Sequence, residues 1–530
     1  MRKTADNGNF EIFAIAFILL ITIVIIFERC NSQTITEKKV AEKYCSSCHL
    51  FPEPSLLDKT TWEKNILPAM APHLGIRYFL DSPYEINDEI KRNAVNNAPQ
   101  GQLINISAWK KIIDYYKENA PATNLPQNRQ PIQKFTDQFK IAEPLPDEGN
   151  PSVSYIKIDE GNQWIYTGTA ADSSLNIYNA KLQLLTKQNV HGIIVDMQFN
   201  TLLDKSGERS GIFTNIGIMN PNDLKAGTAD SFYINKDGAQ FYQQQVLSHL
   251  PRPVAITKAD LDKDGMQDYL VNGFGNTTGA LYWMKNEGNK QYQQNTMRPF
   301  PGAIKTYIDD YNNDGLPDIM ALMTQAQEGI YLFTNKGNGS FDTKTILQFP
   351  AVYGSSYFEL DDFNNDGYKD ILYTCGDNAD YSSRALKHYH GVYIFINDGK
   401  NNFTEKYFFP IHGCYKAIAR DFDNDSDLDI AAISFFPDSK NQPQESFVYL
   451  ENKGLSYFSK SFQFEPYSIK AFNEGHWLTM DAGDIDGDGD EDIALGSFNP
   501  PPKELERAPK DSTKPSFLLL VNKTKSKASQ

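Results

Sequence analysis

Hydrophobic positions between residues 151 and 523 come in short runs separated by turns that are acidic or contain glycine or asparagine. Runs such as "IMALM", "ILYTC" and "IAAISF" are too short for helices and rich in β-favouring residues, so they predict buried strands. Downstream, "YWMKNEG", "YLFTNKG", "YIFINDG" and "VYLENKG" each join a further strand to an Asn-x-Gly turn. The pattern predicts a succession of small antiparallel sheets.

An acidic segment directly precedes each of five predicted strands. The segments are "DLDKDGMQD" (260–268), "DYNNDGLPD" (310–318), "DFNNDGYKD" (362–370), "DFDNDSDLD" (421–429) and "DIDGDGDED" (484–492). Their first residues are 50, 52, 59 and 63 positions apart. The same segment recurs each time directly before a predicted strand. This recurrence indicates a repeat architecture, in which each repeat forms one supersecondary unit.

Oxygen-bearing side chains occupy positions 1, 3, 5 and 9 of every segment. Calcium takes about six to eight oxygen ligands, and a carboxylate cluster is stable around an ion that neutralises it. An EF-hand would continue to a bidentate Glu at about position 12. The residues at that position here are Val271, Ala321, Tyr373, Ala432 and Leu495. The segments therefore predict calcium loops that open strands, and acidic surface turns without metal are the alternative.

In these features the repeats resemble FG-GAP or VCBS repeats, which are integrin-α-type propeller repeats whose Asp-rich loops each bind one calcium ion. The resemblance implies about five calcium ions, with a backbone carbonyl at position 7 added to the side-chain ligands. Those side chains are Asp260, Asp262, Asp264, Asp268, Asp310, Asn312, Asp314, Asp318, Asp362, Asn364, Asp366, Asp370, Asp421, Asp423, Asp425, Asp429, Asp484, Asp486, Asp488 and Asp492. The fourth loop departs from the pattern, because Ser426 replaces glycine and is expected to strain the turn.

Two further stretches, 153–179 and 193–217, have the same strand rhythm without the acids. Counting both predicts a propeller of seven blades over residues 151–523, closed without an exposed sheet edge. The last blade ends at "FLLLVNK" (517–523) and lacks a final strand. The segment "KFTDQFKI" (134–141) matches that missing strand, so we expect it to complete the last blade.

The charge of the chain is concentrated in the acidic segments. The whole chain has a net charge of −16, while the five segments contain 21 acids and 2 bases. Residues 36–122 are neutral, with 11 acids and 11 bases. A nucleic-acid-binding protein would present a basic face, so nucleic acid is not an expected partner. A length of 530 residues predicts two or three folded units.

Residues 1–35 have the features of a targeting segment. Arg2 and Lys3 precede a 16-residue apolar run from Ile12 to Phe27. This run predicts export to the periplasm or cell surface, by a cleaved signal peptide or a retained membrane anchor. Cys30 is a candidate lipidation site, although Glu28 and Arg29 stand where a lipobox has small residues.

A haem-attachment motif follows, in which Cys45 and Cys48 are separated by two serines and followed by His49. Such spacing lets two thiols attach haem c while the histidine binds the iron. Zinc would need further ligands, and a redox Cys-x-x-Cys would need a βαβ setting. Residues 36–122 resemble a class I cytochrome c domain, with helices expected at "TEKKVAEKY" and at Ile106–Ala120.

The sixth iron ligand has two candidates. Met70 is the one methionine between the haem motif and the end of the predicted domain, and His73 lies three residues on. A thioether raises the reduction potential and a second imidazole lowers it. Packing in the core is the alternative role of Met70.

Residues 123–150 are rich in Pro, Asn and Gln and are interpreted as a linker that contains the closing strand, and residues 524–530 as a tail. The predicted fold is thus a small all-α haem domain followed by an all-β propeller. A polar insertion at 375–391 lengthens one blade. With two neighbouring segments it is a candidate lining for one mouth of the ring, through Asp377, Asp380, Tyr381, Arg384, Lys387, His388, His390, His412, Cys414, His476 and Trp477. Alternatively each histidine is an ordinary turn residue, and Cys375 and Cys414 are buried thiols rather than a disulfide.

Three functions fit these features. The first is an exported mono-haem electron-transfer protein whose calcium-loaded propeller binds a redox partner protein, a polysaccharide or another protein ligand. The second is an oxidoreductase whose propeller passes electrons from a substrate to the haem, although no cofactor site for hydride transfer is apparent. The third is a cell-surface binding or adhesion module.

Overall fold

The computed structural model describes residues 36–76, 101–145, 151–200, 208–220, 222–275, 277–325, 327–379, 385–455, 461–499 and 514–525. The chain divides into two compact units, Met1–Leu125 and Pro126–Gln530. The predicted targeting segment at 1–35, including Cys30, lies outside the described residues. No helix in the described ranges is long and apolar enough to cross a membrane.

The described part of the first unit is helical. Residues 36–45 form a helix that ends at the haem-attachment motif. The further segments are Pro54–Leu56, Lys59–Thr61, Trp62–Ile66, Leu67–Met70, Pro72–Leu74 and Ile106–Asn119. Asn105 caps the last helix by accepting a hydrogen bond from the Ala108 amide. These segments do not form a clear all-α cytochrome domain, so that part of the predicted fold stays a prediction.

The last helix buries one face, as its hydrophobic spacing predicts. Trp109, Ile112, Tyr115 and Tyr116 are buried. The Tyr116 ring lies 4.3 Å from the Trp62 ring, measured between centroids. This aromatic contact joins the last helix to the middle segment of the unit.

The second unit consists of seven four-stranded antiparallel sheets, which we call blades 1 to 7. Blade 1 contains β2 (Val153–Asp159), β3 (Trp164–Thr169), β4 (Ser174–Asn179) and β5 (Leu184–Asn189); blade 2 contains β6 (Ile194–Phe199), β7 (Arg209–Asn215), β8 (Gly227–Ile234) and β9 (Phe241–Leu250). Blade 3 contains β10 (Pro253–Ala259), β11 (Asp268–Gly273), β12 (Ala280–Asn286) and β13 (Tyr292–Arg298); blade 4 contains β14 (Ala303–Asp309), β15 (Asp318–Met323), β16 (Gly329–Asn335) and β17 (Phe341–Gln348).

Blade 5 contains β18 (Ser355–Asp361), β19 (Asp370–Cys375), β20 (Gly391–Asn397) and β21 (Phe403–Pro410); blade 6 contains β22 (Cys414–Arg420), β23 (Asp429–Ser434), β24 (Phe447–Leu455) and β25 (Phe462–Tyr467), with a short 3-10 helix at Pro443–Ser446. Blade 7 contains β26 (Trp477–Gly483), β27 (Asp492–Ser497), β28 (Phe517–Asn522) and, from the N-terminal side, β1 (Phe139–Ala142). The first strand of each blade in chain order contacts that of the next, and β26 contacts β2. The predicted seven-bladed propeller is confirmed.

Burial follows the position of each strand within its blade. Every residue of β15, β19, β23 and β27 is buried, because both faces of a second strand are covered by neighbouring blades. The outer strand β17 is mostly exposed. The continuous apolar runs in the sequence are therefore the second strands, and the core lies between blades.

The segment before β1 is attached to blades 5, 6 and 7. Arg129 donates through Nε to the Pro410 carbonyl at 2.7 Å and forms an ion pair with Glu445 through its terminal nitrogens. The Glu445 carboxylate also accepts the Ile132 amide at 3.1 Å. Residues 126–142, which we call the strap, thus pack along the propeller, whereas the composition of 123–150 predicted a linker.

Candidate metal-binding loops and haem-attachment motif

The five acidic segments occupy one structural position. Each connects the first strand of a blade to the second in blades 3 to 7, and its ninth residue is the first residue of that second strand. Because strands alternate in direction, the Asn-x-Gly turns between third and fourth strands lie on the same face of the ring. The connections that contain His390, His412 and His476 lie on the opposite face.

The first aspartate of each segment organises the turn. In the second loop, Asp310 accepts the Asp314 amide at 3.0 Å and the Gly315 amide at 2.7 Å, one on each carboxylate oxygen. The equivalent residues of the other loops accept similar pairs of amides: Asp260, Asp362, Asp421 and Asp484. The backbone therefore wraps around this carboxylate.

The sixth position of each loop requires a left-handed backbone. Gly315 has φ of 84°, and the glycines at this position in three other loops have φ between 85° and 88°. Ser426 takes φ of 76° in the fourth loop, a conformation that is costly for a residue with a Cβ atom. The loop keeps its shape, and the strain expected from the missing glycine is located at this residue.

The carboxylates converge in three of the five loops. One ligand atom of each acid lies within 4.8 Å of the others in three groups, which are Asp260, Asp262 and Asp268; Asp421, Asp423 and Asp425; and Asp484, Asp486 and Asp488. In the other two loops position 3 is an asparagine. The amides of Asn312 and Asn364 each donate to the carboxylate at position 5, at 2.8 Å.

The electrostatics of these loops fit a divalent cation. Burial and, second to it, the nearby Asp425 carboxylate raise the pKa of Asp423 to about 6. One oxygen of each of Asp262, Asp427 and Asp490 is buried without a hydrogen-bond partner among the described residues. Close, poorly solvated carboxylates repel one another, so a calcium ion would supply opposite charge. In the first loop Lys285 already supplies one positive charge, at 2.6 Å from the Asp262 carboxylate.

The ninth residue has a second role that the sequence did not predict. Asp318 is fully buried, and its carboxylate accepts the Tyr311 amide at 3.1 Å and the Asn335 amide at 2.7 Å. The side-chain amide of Asn335 donates to the carbonyl of Leu261, in the loop of blade 3, at 2.8 Å. The carboxylate therefore connects the loop to the Asn-x-Gly turn, which in turn binds the loop of the preceding blade.

The contact recurs around the ring. Position 9 accepts the amide of the turn asparagine in all five blades, in the pairs Asp268–Asn286, Asp318–Asn335, Asp370–Asn397, Asp429–Asn452 and Asp492–Asn522. An acidic loop returns together with a later turn asparagine in every repeat, in an Asn-x-Gly turn in four of the five, and this is the signal that would have predicted the contact.

An ion pair joins blades 1 and 2 on the face of the ring that carries the acidic loops. Arg209, at the start of β7, donates through Nε to Asp159 at 2.5 Å and also contacts its other oxygen. Both side chains are at least nine-tenths buried. The guanidinium lies against the turn that joins β2 and β3, where the later blades have their acidic loops.

The predicted haem-attachment motif begins at Cys45, the last residue of the first helix, and continues into a turn. Cys45 is half-buried, Cys48 is exposed, and both are free thiols. Burial raises the pKa of the Cys45 thiol to about 11, and a hydrogen bond with Tyr116 acts in the opposite direction. The Nδ1 atom of His49 lies 2.9 Å from the Leu50 carbonyl. Unpaired thiols on a chain that turns after a helix fit covalent attachment of haem.

The candidate sixth ligands are adjacent in the structure. Met70 is the last residue of Leu67–Met70, and His73 lies in the following turn, Pro72–Leu74. Burial lowers the pKa of His73, so its imidazole is neutral and able to bind a metal near pH 7. The geometry leaves both candidates open.

Two of the four histidines of the predicted ring mouth, His390 and His476, contact backbone groups, whereas the Nδ1 atom of His412 is buried without a hydrogen-bond partner among the described residues. His390 is fully buried, with Nε2 3.0 Å from the Tyr353 carbonyl and Nδ1 accepting the Gly413 amide at 3.3 Å. The two ring nitrogens of His476 lie 2.9 and 2.6 Å from carbonyl oxygens. For His390 and His476 these contacts favour the interpretation as ordinary structural residues. Asp380, Tyr381 and Arg384 lie outside the described residues.

Residues 260–321 and 310–373 match the FG-GAP-like repeat family. The fold and the loops define a seven-bladed propeller that contains FG-GAP-like repeats, an architecture that suggests a binding or adhesion module. No curated protein matches the chain.

Solved structures with a similar fold include a GH74 enzyme, a WD40 domain and another propeller. They are an ancestral GH74 enzyme (8% identity, TM-score 0.44, 70% of this chain and 48% of that chain), the WD40 domain of Neurospora crassa Pan2 (11%, 0.41, 73% and 97%) and the Dos1 propeller (8%, 0.39, 70% and 77%). The chain spans about half the length of the GH74 structure. At these scores the similarities bear on neither activity nor ligand.

Proposed function

We propose that this chain is an exported c-type cytochrome with an electron-transfer function, fused to a calcium-binding FG-GAP propeller that binds a partner. The observation that carries the propeller half is the convergence of three carboxylates to within 4.8 Å in loops of one geometry. The haem half rests on two free thiols and a histidine at Cys-x-x-Cys-His spacing behind a predicted export segment.

Calcium would be held by positions 1, 3, 5 and 9 of each loop together with the carbonyl at position 7. Calcium supplies neutralising charge when bound, and the residues of the chain supply the preorganised cage. The amides that fix Asp310 at position 1 and Asp318 at position 9 orient these carboxylates in advance. A ring whose seams are joined in this way presents a stable surface to a partner.

Haem would be attached through Cys45 and Cys48, and His49 together with Met70 or His73 would bind its iron. When attached, haem c supplies a one-electron redox centre. Tyr116, whose hydroxyl donates to the Pro52 carbonyl at 2.8 Å, stabilises the chain around the motif. The partner is a redox protein, or a polysaccharide or protein ligand held by the propeller.

The test uses the full chain expressed with its own N-terminal segment in a host that attaches haem c. A covalent haem band under denaturing conditions, together with about five calcium ions per chain by mass spectrometry, is expected. Cys45→Ala with Cys48→Ala should abolish the haem band, while the matched Ser46→Ala with Ser47→Ala should keep it. A wild-type chain that never acquires covalent haem would refute the electron-transfer proposal and leave a calcium-dependent binding module.

Substrate oxidation is the competing function, and the haem itself reports it. Purified oxidised protein is mixed with a panel of sugars and alcohols, and the haem α-band is followed over time. An electron carrier should be reduced by a protein donor or dithionite and by no member of the panel. Reduction by one member of the panel would make the chain an oxidoreductase.

A further inference from the structure

The residue directly before each turn asparagine differs among the five blades that have acidic loops. In chain order these residues are Lys285, Thr334, Ile396, Glu451 and Val521. Their register is the same in every blade, because the residue that follows each acidic segment pairs with the residue two places before the asparagine. The five side chains are therefore equivalent in position but differ in charge.

In blade 3 this position holds a lysine that contacts the acidic loop. The ammonium group of Lys285 lies 2.6 Å from a carboxylate oxygen of Asp262, at position 3 of the first loop. The Asp262 side chain is nine-tenths buried and that of Lys285 is 28% exposed, so solvent screens the pair only weakly. Among the described residues, no other lysine or arginine forms an ion pair with an acid of the five loops.

The ammonium group lies beside the cluster that would hold calcium. Asp262 belongs, with Asp260 and Asp268, to the group of carboxylates whose ligand atoms lie within 4.8 Å of one another. Calcium binds carboxylate oxygens at about 2.3 to 2.6 Å. An ion in this loop and the ammonium group of Lys285 would therefore compete for the same carboxylate.

The first loop also stabilises the carboxylate at position 9 with a side-chain donor. Asp268 accepts the indole N–H of Trp283 at 2.9 Å, in addition to the amides of Leu261 and Asn286. Its equivalent in the second loop, Asp318, accepts two backbone amides and, within the described ranges, no side-chain donor. Two carboxylates of the first loop are thus stabilised by groups of blade 3 itself.

The other charged groups around the first loop do not replace the contact with Lys285. Lys263, at position 4, donates to the Gly315 carbonyl of the second loop. Asp264 and Glu287 are exposed.

Lysines near the other loops bind different groups. Lys336 pairs with Asp342 of the outer strand at 3.3 Å, and Lys453 pairs with Glu451 at 2.6 Å. Lys525 donates to the carbonyl of Gly489 in the last loop. A cation in direct contact with a loop carboxylate is therefore specific to blade 3 in the part of the chain that the structure describes.

We propose that Lys285 is an internal counter-cation of the first loop, which for this reason binds calcium at least about tenfold more weakly than each of the other four loops. Two cations on one buried carboxylate repel each other, so calcium must displace the ammonium group or bind beside it. At the equivalent position of blade 6, Glu451 has the opposite charge. The inference rests on the proposed calcium function and assigns unequal roles to its loops.

Calcium titration of the full chain in competition with a fluorescent chelator tests this inference, because it counts the tightly bound ions. The wild type should bind about four ions tightly and one more at least about tenfold more weakly. Asp264→Ala, at position 5 of the first loop, should remove the weak ion. Asp314→Ala, at position 5 of the second loop, should remove a tight one. Loss of a tight ion in Asp264→Ala would overturn the assignment.

Lys285→Met should raise the number of tight ions to about five, and Lys285→Arg should keep it at about four, because only the first change removes the competing charge. The matched control is Lys290→Met, which removes the same charge from an exposed residue of the same turn and should leave the count unchanged. Glu451→Lys is the converse variant, and it should lower the count to about three.

The outcomes separate this inference from the proposed function. Five equally tight ions in the wild type would overturn the inference and leave the calcium proposal intact, whereas a chain that binds no calcium would overturn both. An unchanged count in Lys285→Met, or an equal gain in Lys290→Met, would also overturn the role of Lys285. If Lys285→Met fails to fold, the wild-type titration, Asp264→Ala and Glu451→Lys decide.

Discussion

Arg209 of blade 2 forms a bidentate ion pair with Asp159 of blade 1 on the face of the ring where blades 3 to 7 have their acidic loops. Both groups are nearly excluded from solvent. On this face of the ring, blades 3 to 7 have the proposed calcium loops. Blades 1 and 2 are instead joined by the guanidinium of Arg209. The contribution of this ion pair to the free energy of unfolding should not depend on calcium.

Arg209→Met should destabilise the propeller by about 3 to 5 kcal/mol, because it leaves the Asp159 carboxylate buried without its partner. Denaturant unfolding, with and without EDTA, measures the change in free energy. Lys470→Met is the control, since it breaks an exposed 3.1 Å pair with Asp137 and should cost less than about 1 kcal/mol. Equal losses of unfolding free energy in the two variants would mean that the buried ion pair stabilises the propeller no more than the exposed one.

Asp488→Ala should remove one calcium ion of about five and lower the melting temperature in calcium, without unfolding the ring. The loop at 484–492 has six acids and is expected to bind most tightly, and the loop at 310–318 has three. Metal content and a calcium titration of the melting temperature measure both effects. Asp342→Ala is the control, because Asp342 is an exposed acid on β17 that pairs with Lys336. A protein that purifies without metal and melts at one temperature with or without calcium would end the calcium proposal.

Glu328 gives a pH dependence that is separate from the loops. This carboxyl group is fully buried, one oxygen has no hydrogen-bond partner among the described residues, and burial raises its pKa to about 7. The folded state therefore binds more protons than the unfolded state between about pH 4.5 and pH 7, so stability falls as pH rises through that window, by about 3 kcal/mol.

Glu328→Gln should reduce the slope in this window, since an amide does not titrate, and should leave the contribution of loop carboxylates whose pKa is also raised, such as Asp429 and Asp492. Unfolding free energies of wild type and variant, measured from pH 4 to pH 8 at constant calcium, give the comparison. Glu287→Gln, at an exposed turn of blade 3, serves as the control. A slope that persists unchanged in Glu328→Gln would assign it to other carboxylates.

Met70→Ala should lower the midpoint potential of the attached haem and remove any absorption band that arises from a sulfur-to-iron bond, because a thioether ligand favours the reduced state. Optical redox titration measures the potential. His73→Ala should leave both properties unchanged if Met70 is the ligand. The reverse pattern would transfer the role to His73.

The sequence predicted the features that depend on local periodicity. The phase of the acidic segments and the length of the strands indicated seven blades, and the closing strand was expected over 134–141, where β1 is Phe139–Ala142. Contacts between residues that are far apart in the sequence were not predicted. Arg209 and Asp159 are 50 positions apart, and Arg129 and Glu445 are 316 apart. The polar, proline-rich composition of residues 123–150 predicted a linker. Composition alone does not indicate that Arg129 pairs with Glu445 of blade 6.

The ring is closed by segments from distant parts of the chain, which sets an order of assembly. Gln138 and Asn522 are 384 positions apart and are hydrogen bonded at 2.8 Å, next to the pairing of β1 with β28. Contacts of such sequence separation form late, because loop closure must be completed before the pairing stabilises anything. During synthesis the strap leaves the ribosome before the other strands of the propeller. It has no partner strand until β28 has been synthesised. Closure of the propeller therefore waits for β28, and the last sheet edge stays open to chaperones, or to aggregation, until β1 pairs with that strand.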